Sequence, residues 1–408
     1  ALIEEAVLVD DAECFQPVVS PDGKRLAYLR NRDEIAVFDL AKEISWTVVP
    51  AERNYSYSDG DLSFSWSPDS KWLVFSMLGD GVWMSDIGVA EVETGAITNL
   101  TRSGYDEERP SWSADGTAIL FYSNRLGRRS HGGWGSEGDL FALYLTREAW
   151  DRAQLSEEEF ELLDGQGEDE EERFRGGRRG KRKPKQAKRK PAKPVRIEFD
   201  DLENRLKRLT VLSSPVGGYA LAPKGEKLVY FAQVEQKWDL WESEPRTRET
   251  RRLASLGARR PGEVIFGSDG DAVYVRRGEG KIQRVPVGGG GGRGMAMRSG
   301  RGEGGSGGGK PIPYAAGMTI RPIVERAYIF DHAWRQVLRK FYDPKLHGVD
   351  WTALRKNYEP FLAHVENNHE FAELLSELLG ELNASHTGSR FRPNADEGDQ
   401  TASLGLLY

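Results

Sequence analysis

At 408 residues the chain is too long for one ordinary domain. With 38% hydrophobic and 30% charged residues it can build cores, but some segments must be strongly polar. A formal charge of −7 argues against nucleic-acid binding by the protein as a whole, one cysteine (Cys14) excludes an internal disulfide, and no apolar run approaches the ~20 residues of a membrane span. The chain begins at Ala1 with no signal-peptide pattern, so a processed or cut amino terminus is expected.

The first 290 residues carry a repeat. "VVSPDGKRLAYL" (18–29) returns as "SWSPDSKWLVFS" (65–76) and "SWSADGTAILFY" (111–122). "ALAPKGEKLVYF" (220–231) and "IFGSDGDAVYVR" (265–276) are weaker copies. The serine or its equivalent falls at Ser20, Ser67, Ser113, Ala222 and Gly267, so all steps but one are 45–47 residues. Asp-Gly suits a tight turn, because glycine accepts positive φ and the Asp side chain bonds the backbone ahead. The segments that follow alternate polar and apolar residues, as half-buried strands do. Further strands are expected at 34–40, 86–92, 139–145 and 238–244, and an outer strand at 96–101 that "EEAVLV" (4–9) resembles. Four short strands per unit of about 45 residues is the pattern of a β-propeller blade, with a multi-sheet sandwich as the alternative. About five blades are visible. Five is few for a closed ring, and a partial propeller over 1–287 is expected.

Residues 147–196 interrupt the repeat with an acidic stretch and then a basic one. Such a polyampholyte is expected to be a solvated, disordered insertion rather than a nucleic-acid patch. Residues 288–310 read as a glycine-rich linker. Chance matches to nucleophile-elbow and phosphate-loop patterns within 302–310 lack the required strand before and helix after, and are rejected.

After Pro313 the apolar period changes to three and four. Phe330, Ala333, Trp334, Val337, Leu338 and Phe341 mark one helix face, ended by Asp343-Pro344. A second helix follows an Asp350 cap and breaks near Pro360. A third, capped by Asn368, buries Phe371, Leu374, Leu375, Leu378 and Leu382. Together they form a small helical domain over 311–391. Five of the six histidines lie in this region. "HEFAE" begins like a zinc-protease helix, but Glu373 stands where a second histidine ligand belongs, and no metal site is expected. His332, His347, His364 and His369 are assigned to surface or capping positions. No motif calls for a cofactor. Ser385 and His386, at the helix exit in "ELNASHTG" (381–388), remain as the candidate pair.

The "SPDGK" repeats, then "FDHAWRQVLRKFYDPKLHGVDWTALRKNYEPFL" (330–362), then "LLSELLGELNASHTG" (374–388), resemble the tricorn protease family of tail-specific, carboxyl-terminal-processing serine proteases. The resemblance implies a propeller, a helical domain, a PDZ domain and an α/β domain bearing the nucleophilic serine. It implies that His386 is the general base and that Ser385 assists the relay between that histidine and a carboxylate. Histidine suits the role, since an unperturbed imidazole titrates near ~6.5. "TASLGLLY" (401–408) resembles the first strand of the PDZ domain, so the nucleophile, oxyanion hole and carboxylate are expected outside this chain. The chain alone would then be inactive. Peptides or unfolded polypeptides are the implied substrates, with the propeller guiding or gating them, a homo-oligomer possible, and an extracytoplasmic compartment preferred over the cytoplasm.

The reading is therefore a multidomain protein: an all-β propeller followed by a small mainly α-helical domain, the amino-terminal part of a serine peptidase. The alternative is a peptide-binding propeller scaffold with a degenerate protease tail. A nucleic-acid protein working through 174–196 is the third, disfavoured reading.

Overall fold

The computed structural model describes residues 6–10, 12–54, 62–78, 84–129, 136–163, 192–267, 269–278, 280–287, 309–315 and 317–392. The glycine tract at 288–308, the centre of the charged insertion (164–191) and the PDZ-like strand expected at 401–408 lie outside these residues. The chain divides into two compact units, Ala1–Pro313 and Tyr314–Tyr408.

Among the described residues the first unit holds five four-stranded antiparallel meanders. They comprise β1 (Cys14–Val19), β2 (Arg25–Arg30), β3 (Glu34–Asp39) and β4 (Ile44–Val49), then β5 (Phe64–Trp66), β6 (Trp72–Leu78), β7 (Ser85–Glu91) and β8 (Ile97–Asn99). The third sheet comprises β9 (Glu107–Trp112), β10 (Ala118–Ser123), β11 (Asp139–Tyr144) and β12 (Leu206–Arg208). The last two comprise β13 (Val216–Leu221), β14 (Leu228–Val234), β15 (Lys237–Ser243) and β16 (Thr250–Ala258), then β17 (Glu263–Phe266), β18 (Ala272–Arg276), β19 (Ile282–Pro286) and β20 (Lys310–Ile312). The boundary read from sequence at Pro311 falls inside β20. Residues 6–10 form no strand.

The repeated motif is a clasp between the first two strands of a sheet. In the second sheet Ser67, 0% exposed, donates through Oγ to Asp69 Oδ1 (2.6 Å) and accepts from the amides of Trp72 (2.9 Å) and Lys71 (3.2 Å). Ser20–Asp22 and Ser113–Asp115 repeat the arrangement at 2.6 and 2.7 Å. Gly23 and Gly116 take the left-handed conformation that the turn needs, with φ 73° and 72°. Ser70 occupies that position at φ 62°, and its Oγ accepts the Asp22 amide of the neighbouring sheet (3.1 Å). The departure from Asp-Gly thus supplies a bond between sheets.

The central strands are more apolar than a half-buried strand would be. Every residue of β10, "AILFYS", is buried. Alternate residues serve different neighbours. Leu73 and Phe75 of β6 pack toward the first sheet, and Val74 packs toward the third. Ile119 and Phe121 meet the second sheet, while Leu120 and Tyr122 meet the fourth. Val229 and Phe231 meet the fifth. A sheet covered on both faces has no polar side to alternate with. Polar bonds also cross the seams. Trp66 Nε1 donates to Val18 O (2.9 Å) and Trp112 Nε1 to Ser65 O (3.2 Å). The Arg109 guanidinium donates to Val216 O (2.9 Å) and Gly217 O (2.8 Å). Tyr219 donates to Leu120 O (3.0 Å), and burial pushes its hydroxyl pKa up to about 12, which keeps it a donor.

The charged insertion is ordered at both ends, contrary to the expectation of disorder across 147–196. Helix α1 (Arg147–Gln154) is capped by Thr146, whose hydroxyl accepts the Ala149 amide. Trp150 lies edge-on to Tyr144 at 5.9 Å, and Lys207 Nζ donates to Ala153 O (2.6 Å). On the far side Val195 and Ile197 pack against the cluster between the second and third sheets. Apolar residues at the ends of the insertion anchor it where charge composition alone would not.

In the second unit α2 (Pro322–Lys340), α3 (Trp351–Tyr358) and α4 (Asn368–Gly380) surround one core. Phe330, Leu346, Trp351, Phe371, Leu375, Leu378 and Leu382 are its buried members, with Ala333, Trp334, Val337 and Phe341 among those packed against them. Leu338, expected on the buried face, is 46% exposed. Two tryptophans tie α2 to α3 reciprocally. Trp334 Nε1 donates to Trp351 O (2.9 Å), and Trp351 Nε1 donates to Trp334 O (3.0 Å). Asp350 caps α3 as expected, accepting the Ala353 amide, and a 3₁₀ turn over Glu359–His364 replaces the helix at Pro360. The α4 cap is Asn367 rather than Asn368. Its Oδ1 accepts the His369 and Glu370 amides, both at 3.0 Å. Arg326 joins this end to α2 through Asn368 Oδ1 (3.1 Å) and Val365 O (2.9 Å).

Between α2 and α3 the chain turns sharply. Leu346, His347 and Gly348 have φ 51°, 54° and 78°. The Asp343 carboxylate holds the turn by accepting the amides of Lys345 and His347, both at 3.0 Å. These two bonds, with the nearby His347 charge, hold its carboxyl below the usual range against a small opposing effect of burial.

Two outcomes follow from these contacts. Ser67→Ala should destabilise the propeller by about 1–3 kcal/mol in urea unfolding, because the part-buried Trp72 amide loses its acceptor; unaltered stability would contradict the role of the clasp. A carboxylate with a lowered folded-state pKa contributes stability that is complete above about pH 4 and is lost as pH falls through the lower value. Asp343→Asn should therefore flatten the acid limb of the stability curve, and an unchanged limb would contradict the two-amide cradle.

Candidate active site

The chain leaves α4 into a loop that carries Ser385 and His386. Leu379 O and Gly380 O accept the amides of Leu382 (3.3 Å) and Asn383 (2.9 Å), which closes the helix. Asn383 then takes φ 48°, which turns the chain away from the axis. The loop is fixed on both sides. At its entry Leu382 is 1% exposed and belongs to the core. Tyr358 of α3 donates to Glu381 Oε1 (2.9 Å), and the His347 ring bonds Leu382 O (2.8 Å). At its exit Ser376 of α4 donates to Ser389 O (2.9 Å) and accepts the Ser389 amide (2.8 Å). Thr387 Oγ1 donates to Ala384 O (2.8 Å) within the loop.

Ser385 and His386 are adjacent and both exposed. Among the described residues neither side chain has a hydrogen-bond partner, and they do not bond each other. His386 has φ 62°, a left-handed backbone uncommon outside glycine. Such a conformation persists where the surroundings over-determine it, and it recurs at functional sites. A free imidazole on a tethered loop can accept a proton from a group brought to it, and a neighbouring hydroxyl can donate or accept.

Three other histidines are engaged differently, while His364 is exposed. His332 stacks on Tyr328 at 5.9 Å, and His369 lies edge-on to Phe391 at 5.1 Å. His347, assigned from sequence to a surface or capping position, bonds through both ring nitrogens. Ser376 and His347 support the loop, yet neither stood out in the sequence as part of a site. Ser376 lies among leucines in "LLSELL", a polar residue inside an apolar run, and that was its only signal. Among the described residues no group of three or more His, Cys, Asp and Glu side chains is arranged to hold a metal ion. No helix among them is long and apolar enough to cross a membrane.

Comparison with known proteins agrees with this architecture. The family model of the tricorn protease C1 domain matches residues 322–380, from the start of α2 to the end of α4. A tricorn protease homologue of Streptomyces coelicolor is 26% identical over 359 residues, covering 80% of this chain and 27% of that protein. A tricorn protease homologue of Saccharolobus solfataricus is 25% identical over 122 residues, covering 30% of this chain and 11% of its own length. The chain thus spans about a quarter or less of these curated relatives. The crystal structure of the tricorn protease shares the fold, with a TM-score of 0.51 at 14% identity over 92% of this chain and 34% of that one. With its sheets, its C1-like helical unit and these relatives, the chain is similar to the tricorn-like family.

Proposed function

We propose that this chain is the amino-terminal part of a tricorn-like serine peptidase. In this reading His386 is the general base toward a nucleophilic serine outside these 408 residues. The imidazole takes the serine proton as the hydroxyl attacks a peptide carbonyl, then returns it to the leaving amine. Ser385 assists the relay between His386 and a carboxylate that also lies elsewhere. Peptides and unfolded polypeptides are the substrates, and the propeller guides or gates them.

The observation that carries the reading is His386 itself. Its ring is exposed and without a partner among the described residues, on a left-handed backbone, in a loop held at both ends. A histidine that served only to close the helix would spend a ring nitrogen on a backbone carbonyl, as His347 does. The relatives named as tricorn protease homologues support the peptidase class.

The test is fluorophosphonate labelling of the full-length protein, wild type beside His386→Ala. Labelling of the wild type should fall by a factor of roughly 10³ or more in the variant, the scale seen when a base–nucleophile unit is broken. A folded wild type that takes no label would overturn the peptidase reading in favour of a peptide-binding propeller.

A further inference from the structure

His347 is spent on one contact far along the chain. Its Nδ1 lies 2.8 Å from the carbonyl oxygen of Leu382, thirty-five residues on. A carbonyl can only accept, so Nδ1 carries a proton, and Nε2 bonds the Tyr342 hydroxyl. The rings of Phe341 and Tyr342 stand edge-on to the imidazole at 5.2 and 5.3 Å and set its plane. Beneath it the backbone is left-handed for three successive residues, and the Asp343 carboxylate holds the His347 amide at 3.0 Å. Ring plane, Nδ1 proton and backbone are thus each constrained by a separate neighbour.

The acceptor matters as much as the donor. Leu382 O is among the last carbonyls after α4, where intrahelical donors have run out. Leu382 itself is buried, so this carbonyl has limited access to water. It lies four residues before His386. The Tyr358 contact beside it grips only the Glu381 side chain. The His347 contact holds a backbone atom.

We propose that His347 is a positioning residue for His386. Its Nδ1–H fixes the Leu382 carbonyl, and through it the direction in which the chain enters the Ser385–His386 loop. Ser376 fixes the exit, and the two anchors together determine where the His386 imidazole points. The proposal rests on the reading of His386 as the base.

Two variants of His347 separate positioning from mere packing. His347→Ala removes the donor. His347→Asn keeps an amide N–H near the place of Nδ1 and tolerates the left-handed backbone. Two readouts are taken on each. The first is the imidazole NMR signals of His386 in this 408-residue chain, which need no nucleophile. The second is the fluorophosphonate labelling rate of the full-length protein at saturating and at low reagent. His347→Ala should shift or broaden the His386 signals and slow saturated labelling about 10–100-fold, with half-saturation little changed, since small misplacements of a reacting group cost factors of this size. His347→Asn should return both toward wild type.

If His386→Ala abolishes labelling while His347→Ala leaves both readouts at wild-type values, the positioning role is overturned and the base assignment stands. If His386→Ala leaves labelling intact, the base assignment fails, and the His386 signals alone decide. Perturbation by Ala with recovery by Asn supports positioning, and no perturbation overturns it. Should His347→Ala not fold, Tyr342→Phe removes the bond to Nε2 and keeps the imidazole. A smaller change in the same two readouts is expected from it, and none in either would overturn the proposal.

Discussion

Burial on both faces of each central strand is the constraint from which the first unit follows. A strand such as "WLVFSML" sends Leu73 and Phe75 to one neighbour and Val74 to the other, so a one-residue slip would exchange the two packing surfaces. Register must therefore be set locally. The Ser-x-Asp-Gly clasp does this by tying the turn to the first amides of the following strand. Where the serine is lost, as at Ala222, the backbone pair between Ala222 N and Lys227 O (2.7 Å) and a left-handed Gly225 keep the same turn.

The second unit solves a different problem with the same economy of contacts. Its small apolar core holds three helices, and buried polar pairs decide how they meet. The reciprocal tryptophan bonds register α2 against α3, and Arg326 registers α2 against the start of α4. The end of α4 inherits this order. Because Leu378 and Leu382 sit in the core, the loop after them begins from a fixed point. Ser376, one turn back on the helix, catches its far end at Ser389. In the proposed reading, a base on such a loop has little backbone freedom left to lose when a substrate arrives, which is the physical advantage of preorganisation.

Much of this was legible in the sequence because it is local. The turn chemistry, the period of two, the switch to a period of three and four, the Asp350 cap and the break at Pro360 each lie within a few residues of their cause. What was not legible depends on distant partners. Continuous apolar strands look half-buried until the neighbouring sheets are in place. Residues 147–154 look disordered by charge until Trp150 finds Tyr144. Leu338 fits the helical stripe but is left at its margin. His347 reads as an ordinary surface histidine, because Leu382 is distant in sequence and near only in the fold. Ser385 and His386 could be singled out by type and by family resemblance, whereas the anchors of their loop could not.

The most direct measurement of the central claim is the structure of the full-length protein carrying a fluorophosphonate adduct. The account predicts that the labelled serine lies beside His386, with its Oγ about 2.6–3.2 Å from an imidazole nitrogen or slightly beyond. An adduct on a serine far from His386, with a different base at that distance, would contradict it.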